Sequence, residues 1–513
     1  MDKVSEAQVF RYNEDASVHT LDPAFAKSQS ELWIVSQLFN GLVELDSALG
    51  VVPSVARSWE LSADSRMYRF HLRQDVPFCD AANSRSNVLI ANDVVASFRR
   101  LIDPKIASPG AWIFVDKVSG PEAFQAVDDS TLTIELTRPF PAFLSLLSMN
   151  FAYIMPEEWT RKEKSFLARH ACGTGPFYLK RWEQEVKMVL RKNPRYFEFE
   201  GSTRLPYLEA INIDFVKNKQ TAFMQFVSGK YDFFNGLESS IKDELFSKEG
   251  RLNPAYQSQF KALLTPFLNT EFIAFNMGPS GPAILKERAF RLALSSAVDR
   301  QGLVRFLRNG VGEPGHQGFV PPSLMMEPVS GQHFDLSQAK TWLKASSYAG
   351  QSLTLATTAD YLDMAIYLQK AWENIGIALS VQVESGGMLR QKRNQGELQL
   401  YRGSWIADYP DAENYLSCYY SPYRFPNGPN YSQYVHSTFD EKYEAVSGLG
   451  STSVPPQSRA SLLAEADQWL MDDAAVLVLY YDKSVRLIQN GVRGLANDPA
   501  NRLILKRVSK MTP

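Results

Sequence analysis

Cysteine is scarce in this chain. Cys79, Cys172 and Cys418 are scattered, odd in number and outside any CxxC spacing, which excludes a disulfide framework or zinc knuckle and leaves room for one chance pair at most. The six histidines, His19, His71, His170, His316, His333 and His436, never stand three to five residues apart, so helical metal-ligand patterns are missing. No metal site and no cofactor is therefore expected. Excess charge is lacking too: 54 Lys and Arg against 56 Asp and Glu leave a net charge of -2, with no cationic field for nucleic acid or anionic lipid. Long apolar runs are absent, since Ala474 to Tyr481 falls well short of the roughly 20 residues of a membrane span. Met1 to Phe10 carries no apolar segment like a signal peptide. Met1-Asp2-Lys3 directly precedes folded-looking sequence, and the reading is of a chain whose export signal has been removed.

Catalytic signatures are equally thin. There is no GxSxG, no histidine stands in a recognised nucleophile context, and Gly173-Thr174-Gly175 lacks the third glycine and the Lys-Ser/Thr of phosphate-cradling loops. Internal repeats and low-complexity tracts are also missing.

What is present is a 513-residue chain, 45% hydrophobic and 12% aromatic, large enough for two or three lobes. Its segments are mixed α/β. Thr131 to Leu136 and Lys187 to Arg191 are strand-like, whereas Ser30 to Phe39 and Ala91 to Leu101 have helical spacing, the latter with Asn92 or Asp93 as its cap. Phe290, Ala293, Leu294 and Ala297 mark a helix, and Asp299 offers the N-cap of the next. Ser352 to Thr357, a helix over Met364 to Ile375 closed by Gly376, and Ala378 to Val383 read as a βαβ crossover, hence a parallel sheet. Turn-rich junctions at Gly173 to Pro176, Asn276 to Pro282 and Gly312 to Pro322 are the candidate boundaries.

Asp408-Tyr409-Pro410-Asp411 sets two carboxylates three residues apart, as a hydrolase would need, but two acids around Tyr-Pro are equally a turn with Asx-type hydrogen bonds. The aromatic stretch Tyr415 to Phe425 is either a stacking platform or filling between lobes.

Three blocks carry a resemblance. They are Val52 to Glu60 followed by Tyr68 to Arg73, Asn92 to Phe98 running on to Asp103-Pro104, and Gly403-Ser404-Trp405-Ile406-Ala407-Asp408-Tyr409-Pro410-Asp411. With Leu21-Asp22-Pro23, Gly173 to Phe177, Arg288 to Arg291 and the closing Asn501 to Lys506 in order, nearly the whole chain resembles the oligopeptide- and dipeptide-binding proteins of ABC importers, extracellular solute-binding family 5. The resemblance implies an α/β, bilobal, periplasmic-binding-protein-like fold of type II, with three domains, mixed sheets and a hinge. Residues 1–45, 172–270 and 483–513 would form domain I, 46–171 domain II, and 271–482 domain III. One departure follows Phe78, where the family's Asp-Gly turn reads Cys79-Asp80-Ala81-Ala82 with extra residues to Asn87.

It further implies the non-enzymatic binding subunit of a peptide importer, a monomer that closes two lobes around short peptides and hands them to a membrane permease and its ATPase. Its place would be the periplasm or the outer face of the cytoplasmic membrane, with or without a lipid anchor. Asp408 matches the carboxylate that meets the ligand's α-ammonium, while Asp411 keeps its turn role, so its loss as an amide should cost under about 1 kcal/mol. Backbone groups of Ser404 and Ile406 on one side, and of Ser28, Gln29 and Ser30 on the other, would hydrogen-bond an extended ligand as an added strand. Trp405, on the opposite parity, walls a side-chain pocket or packs in its lobe. Arg402 matches a position that meets a ligand carboxylate or makes a salt bridge within domain III. A non-peptide solute (oligosaccharide, opine-like compound or metal chelate), a hydrolase using Asp408 and Asp411, and a signalling receptor remain as alternatives.

Overall fold

A computed structural model describes residues 8–78, 88–236, 239–449 and 456–511. The departure at Cys79 to Asn87 lies outside the described residues. The chain divides into two compact units: residues 1–241, 254–265 and 484–513 form one, and residues 242–253 and 266–483 the other. The candidate junction at Gly173 to Gly175 lies inside unit 1. There a Cβ on Gly173 would sit 2.2 Å from the Leu38 carbonyl and one on Gly175 2.4 Å from that of Gln37, so these glycines serve close packing.

Unit 1 is built around β1 (Val9–Asn13), followed by α1 (Gln29–Leu38). Ser28 caps α1, and its capping box with Glu31 fixes where the helix begins. A separate layer comes from β2 (Ala56–Leu61), β3 (Met67–Leu72), α2 (Ala91–Ile102), β4 (Phe124–Asp128) and β5 (Thr131–Glu135), with sheet order β2-β3-β5-β4. Neither Asn92 nor Asp93 is the cap of α2. Ile90 occupies that position, and Asp93, at the third helical residue, accepts the Ile90 N–H at 2.9 Å and the Glu157 N–H at 2.8 Å. The remaining strands are β6 (Phe177–Glu183), β7 (Lys187–Lys192), β8 (Ala210–Asp214) and β9 (Phe233–Asn235). Parallel pairs β1–β8 and β1–β9 sit beside antiparallel β8–β7 and β7–β6, so the sheet is mixed. Phe10, Tyr12, Trp33 and Phe233 pack together on it.

Unit 2 holds β10 (Phe260–Phe275) from Pro266 onward, α3 (Arg288–Ser296), α4 (Arg300–Leu307), β11 (Leu353–Thr357), α5 (Leu362–Glu373), β12 (Leu379–Val383), β13 (Leu400–Ile406), α6 (Ala412–Leu416) and β14 (Val476–Gln489) as far as Lys483. Asp299 caps α4 through the Gly302 N–H at 2.9 Å. The βαβ crossover is present: β11 and β12 pair in parallel across α5, and Gly376 adopts φ +89° beyond the helix end. The order β12-β11-β13-β10-β14 makes a sheet with a core on each face. Leu400, Ile273 and Phe275 belong to one core, Tyr401, Phe272 and Ala274 to the other, as the two-residue period of strands demands. The aromatic stretch after Tyr415 needs correction as a filling between lobes. Tyr415, Tyr419 and Tyr420 are buried in the core of unit 2 itself, with Phe319 edge-on to the first two and Tyr443 against the third. Cys172 and Cys418 are buried thiols in different units.

Candidate functional site

The site residues named from the last sequence block converge on β13. Along its whole length β13 pairs antiparallel with β10, from Leu400 opposite Phe275 to Ile406 opposite Asn269. On its other edge β11 reaches only Leu400 and Tyr401. The Ala407 N–H donates to the Leu268 carbonyl at 2.9 Å, which fixes the alternation. Odd-numbered residues aim their backbone groups at β10, and Arg402, Ser404 and Ile406 aim theirs at the opposite edge. Among the described residues no backbone group bonds the outer edge at Ser404 and Ile406. Both residues are exposed, Ile406 to 53%.

Above one face of this pair runs a chain of polar contacts. Ser404 Oγ donates to Asn269 Oδ1 at 2.7 Å, Asn269 Nδ2 donates to Glu271 Oε1 at 3.1 Å, and Glu271 Oε2 meets the Arg402 guanidinium at 2.5 Å. Glu271 is 1% exposed, so a counter-charge is obligatory there. Arg402 also lies over the Tyr361 ring, 3.5 Å from its centroid. Arg402 thus makes a salt bridge within unit 2, one of its two readings. On the other face Gly403 lies opposite Phe272, where an added Cβ would come within 2.4 Å of the ring. Trp405 packs partly buried against the core on that face.

Asp408 follows the strand. Its backbone N–H donates to Asn414 Oδ1 at 3.1 Å, and Asn414 Nδ2 donates to Asp408 Oδ2 at 3.3 Å. The same Oδ1 accepts the Trp405 indole N–H at 3.0 Å. The residue as a whole is exposed, yet protein atoms crowd its carboxyl enough to push the pKa up by desolvation, opposed by the bond from Asn414. Because the carboxylate still reaches water, that shift carries little energy. Among the described residues no Lys or Arg pairs with it.

Asp411 has a different employment. It caps α6 through the Glu413 N–H at 2.9 Å and holds Arg459 with both oxygens, at 2.8 and 3.0 Å. A turn residue alone is thus too modest a description, and the carboxylate is committed to a cation rather than poised beside Asp408. Glu413 is gripped by the hydroxyls of Tyr409 and Tyr443; burial pushes its pKa up and those bonds oppose the rise.

Ser28, Gln29 and Ser30 belong to unit 1. They cannot act there as a strand edge, because Gln29 and Ser30 form the first turn of α1 and their carbonyls serve the helix. First-turn N–H groups are what this segment can offer. Their side chains look inward to their own unit: Gln29 exchanges hydrogen bonds with Asn501 at 3.2 and 3.1 Å, and Ser30 Oγ donates to Glu14 at 2.7 Å. Burial tends to push the Glu31 pKa up, but N–H donors of Lys27, Ser28 and His19 outweigh it and the net shift is downward. Ser28 also borders an open hollow of about 780 Å³ with His19, Lys27 and Lys164.

Two contributors escaped the sequence reading. Glu271 is a lone acid just before the apolar run Phe272 to Phe275, and such a residue announces a hidden cation. Asn414 could have been placed from Asp411 as an N-cap, which sets it in the first turn of a helix beside Asp408.

Residues 50–427 match the model for "Bacterial extracellular solute-binding proteins, family 5 Middle". The "Periplasmic murein peptide-binding protein MppA" of Escherichia coli is 27% identical over 509 residues, covering 93% of this chain and 88% of its own. The "Probable deoxycholate-binding periplasmic protein YgiS" of the same organism is 26% identical over 529 residues, covering 95% and 90%. The solved periplasmic binding protein DppA from Helicobacter pylori, in complex with peptide STSA, superposes with a TM-score of 0.76 at 22% identity, over 98% of each chain. The likeness in fold extends through both units.

Proposed function

We propose, for a chain that belongs to the bacterial extracellular solute-binding proteins of family 5, that it is the peptide-capturing subunit of an ABC importer. A short extended peptide lies along the outer edge of β13 as an added strand, with its α-ammonium on Asp408. One observation carries this reading. The outward backbone groups of Ser404 and Ile406 lack strand partners among the described residues, and the edge ends at a carboxylate without a paired cation. Main-chain bonding is indifferent to ligand sequence, and the charge supplies polarity and anchoring. Peptide-binding names among the relatives support the same class. On this reading the chain binds without catalysis: Asp411, the second carboxylate of the hydrolase alternative, is committed to Arg459. Export to the periplasm, a lipid anchor, a monomeric state, the three-domain plan and delivery to a permease with its ATPase belong to the proposal too.

The test is calorimetry of four combinations, wild type and Asp408→Asn with a free and an N-acetylated peptide. Each single change should cost about 2–5 kcal/mol, and the two should not add. Equal binding of both peptides by the wild type would remove Asp408 from the role. A non-peptide solute is the alternative, given the relative named for deoxycholate. An unpaired carboxylate favours a cationic amine over such an anion. Mass spectrometry of ligand released on denaturation separates the two.

A further inference from the structure

Asn414 is 5% exposed, and its side-chain amide bonds three groups of Trp405 and Asp408 around the end of β13. Oδ1 accepts both the Trp405 indole N–H at 3.0 Å and the Asp408 backbone N–H at 3.1 Å, and Nδ2 donates to Asp408 Oδ2 at 3.3 Å. Chemistry fixes the amide's orientation. An indole and a backbone N–H only donate, so the oxygen must face them, and the remaining NH₂ must then face the carboxylate. The helix that carries Asn414 is itself pinned, by Asp411 on Arg459 at its start and by the Tyr409 and Tyr443 hydroxyls on Glu413. Asp408, by contrast, is exposed and lies beyond the strand. Without Asn414 its carboxylate would sample several rotamers, and ordering it on binding would weaken affinity by about threefold to tenfold.

We propose that Asn414 is the positioning residue that sets amine selectivity, holding the Asp408 carboxylate and the Trp405 indole in one fixed arrangement. This rests on Asp408 being the ammonium site. A carboxylate fixed in advance meets a charged amine without reorganising, whereas an acetylated terminus gains nothing from it. Selectivity, rather than overall affinity, is therefore what Asn414 controls.

The readout is the ratio of dissociation constants for N-acetylated and free forms of one peptide. Wild type should show a ratio of about thirty or more. Asn414→Leu, close in shape, should lower that ratio by about tenfold while affinity for the acetylated peptide stays within about threefold. Equal weakening of both peptides, the result of a merely structural role, overturns the proposal. So does a folded variant whose ratio is within about twofold of wild type. A wild-type ratio near one sinks the ammonium reading before any variant is made, and the proposal with it. If Asn414→Leu fails to fold by circular dichroism, Trp405→Phe decides. It removes the indole N–H on Oδ1 while keeping an aromatic ring against the core, so the ratio should drop about threefold, and an unchanged ratio overturns the proposal.

Discussion

Arg459 grips Asp411 in a two-pronged ion pair, 2.8 and 3.0 Å long, and its remaining Nε–H holds the Val446 carbonyl at 2.9 Å. Both charged side chains are largely buried, so removing one strands the other. Asp411→Asn keeps the helix cap but loses the pair. It should lower stability by about 2–4 kcal/mol in urea unfolding, well above the cost of a surface turn residue. An effect below about 1 kcal/mol would show that the pair is dispensable.

Arg402 serves Glu271, and its charge is already matched inside unit 2. Amidating a peptide's C-terminus should therefore change affinity by less than about twofold. A loss of tenfold or more would mean that the arginine turns to the ligand. Arg402→Met should instead cost about 3–5 kcal/mol of stability by leaving Glu271 unpaired, and adding Glu271→Gln should recover part of it.

Asp467 is fully buried under the loop at Gly318, accepting the N–H groups of Phe319 and Val320 at 2.8 and 3.2 Å. Desolvation raises its pKa to about 7, against the pull of those two donors. The unfolded chain gives up this proton near pH 4 and the folded protein only near 7. Between those values the folded state holds more protons, so stability falls as pH rises and levels off above 7. Glu14, raised to about 8 chiefly by burial, adds to the same trend. Thermal melts from pH 4 to 8 should show a decline of which about 4 kcal/mol comes from Asp467, so that Asp467→Asn lessens it. An identical slope in the variant would exclude Asp467 as its source.

Gly403 has no room for a side chain beneath the Phe272 ring. Gly403→Ala should cost about 1–3 kcal/mol, and Phe272→Ala alone about 3–5 kcal/mol. Combined, they should cost less than the sum, because each vacates the space the other disputes. Strict additivity in denaturant unfolding would contradict the contact.

Local signals were legible where one element decides its own structure. The crossover β11-α5-β12 followed from periodicity and Gly376, and Asp299 declared its helix through an ordinary N-cap. Asp93 misled because an acid in a first helical turn suits the third position as well as the cap. What stayed hidden depends on partners far along the chain. Arg402 meets Glu271 131 positions away by number, and Asp411 meets Arg459 across 48. The tyrosines after Tyr415 looked like lining because composition says nothing about which core receives them. The strand parity of Ser404, Trp405 and Ile406 was readable in advance, since a two-residue period needs no tertiary knowledge.

The bare edge of β13 is also a hazard, since unpaired strand edges invite pairing with other chains and aggregation. Its shortness is the safeguard. Among the described residues Ser404 and Ile406 present outward backbone groups without a strand partner before Asp408 is reached, so a passing strand gains a few hydrogen bonds, each worth about 1 kcal/mol net. That is little to hold a passing strand by. A strand embedded in a folded protein brings no terminal ammonium to add to it. Under the peptide reading, the same economy of edge that gives another strand little to pair with favours guests that bring a chain end.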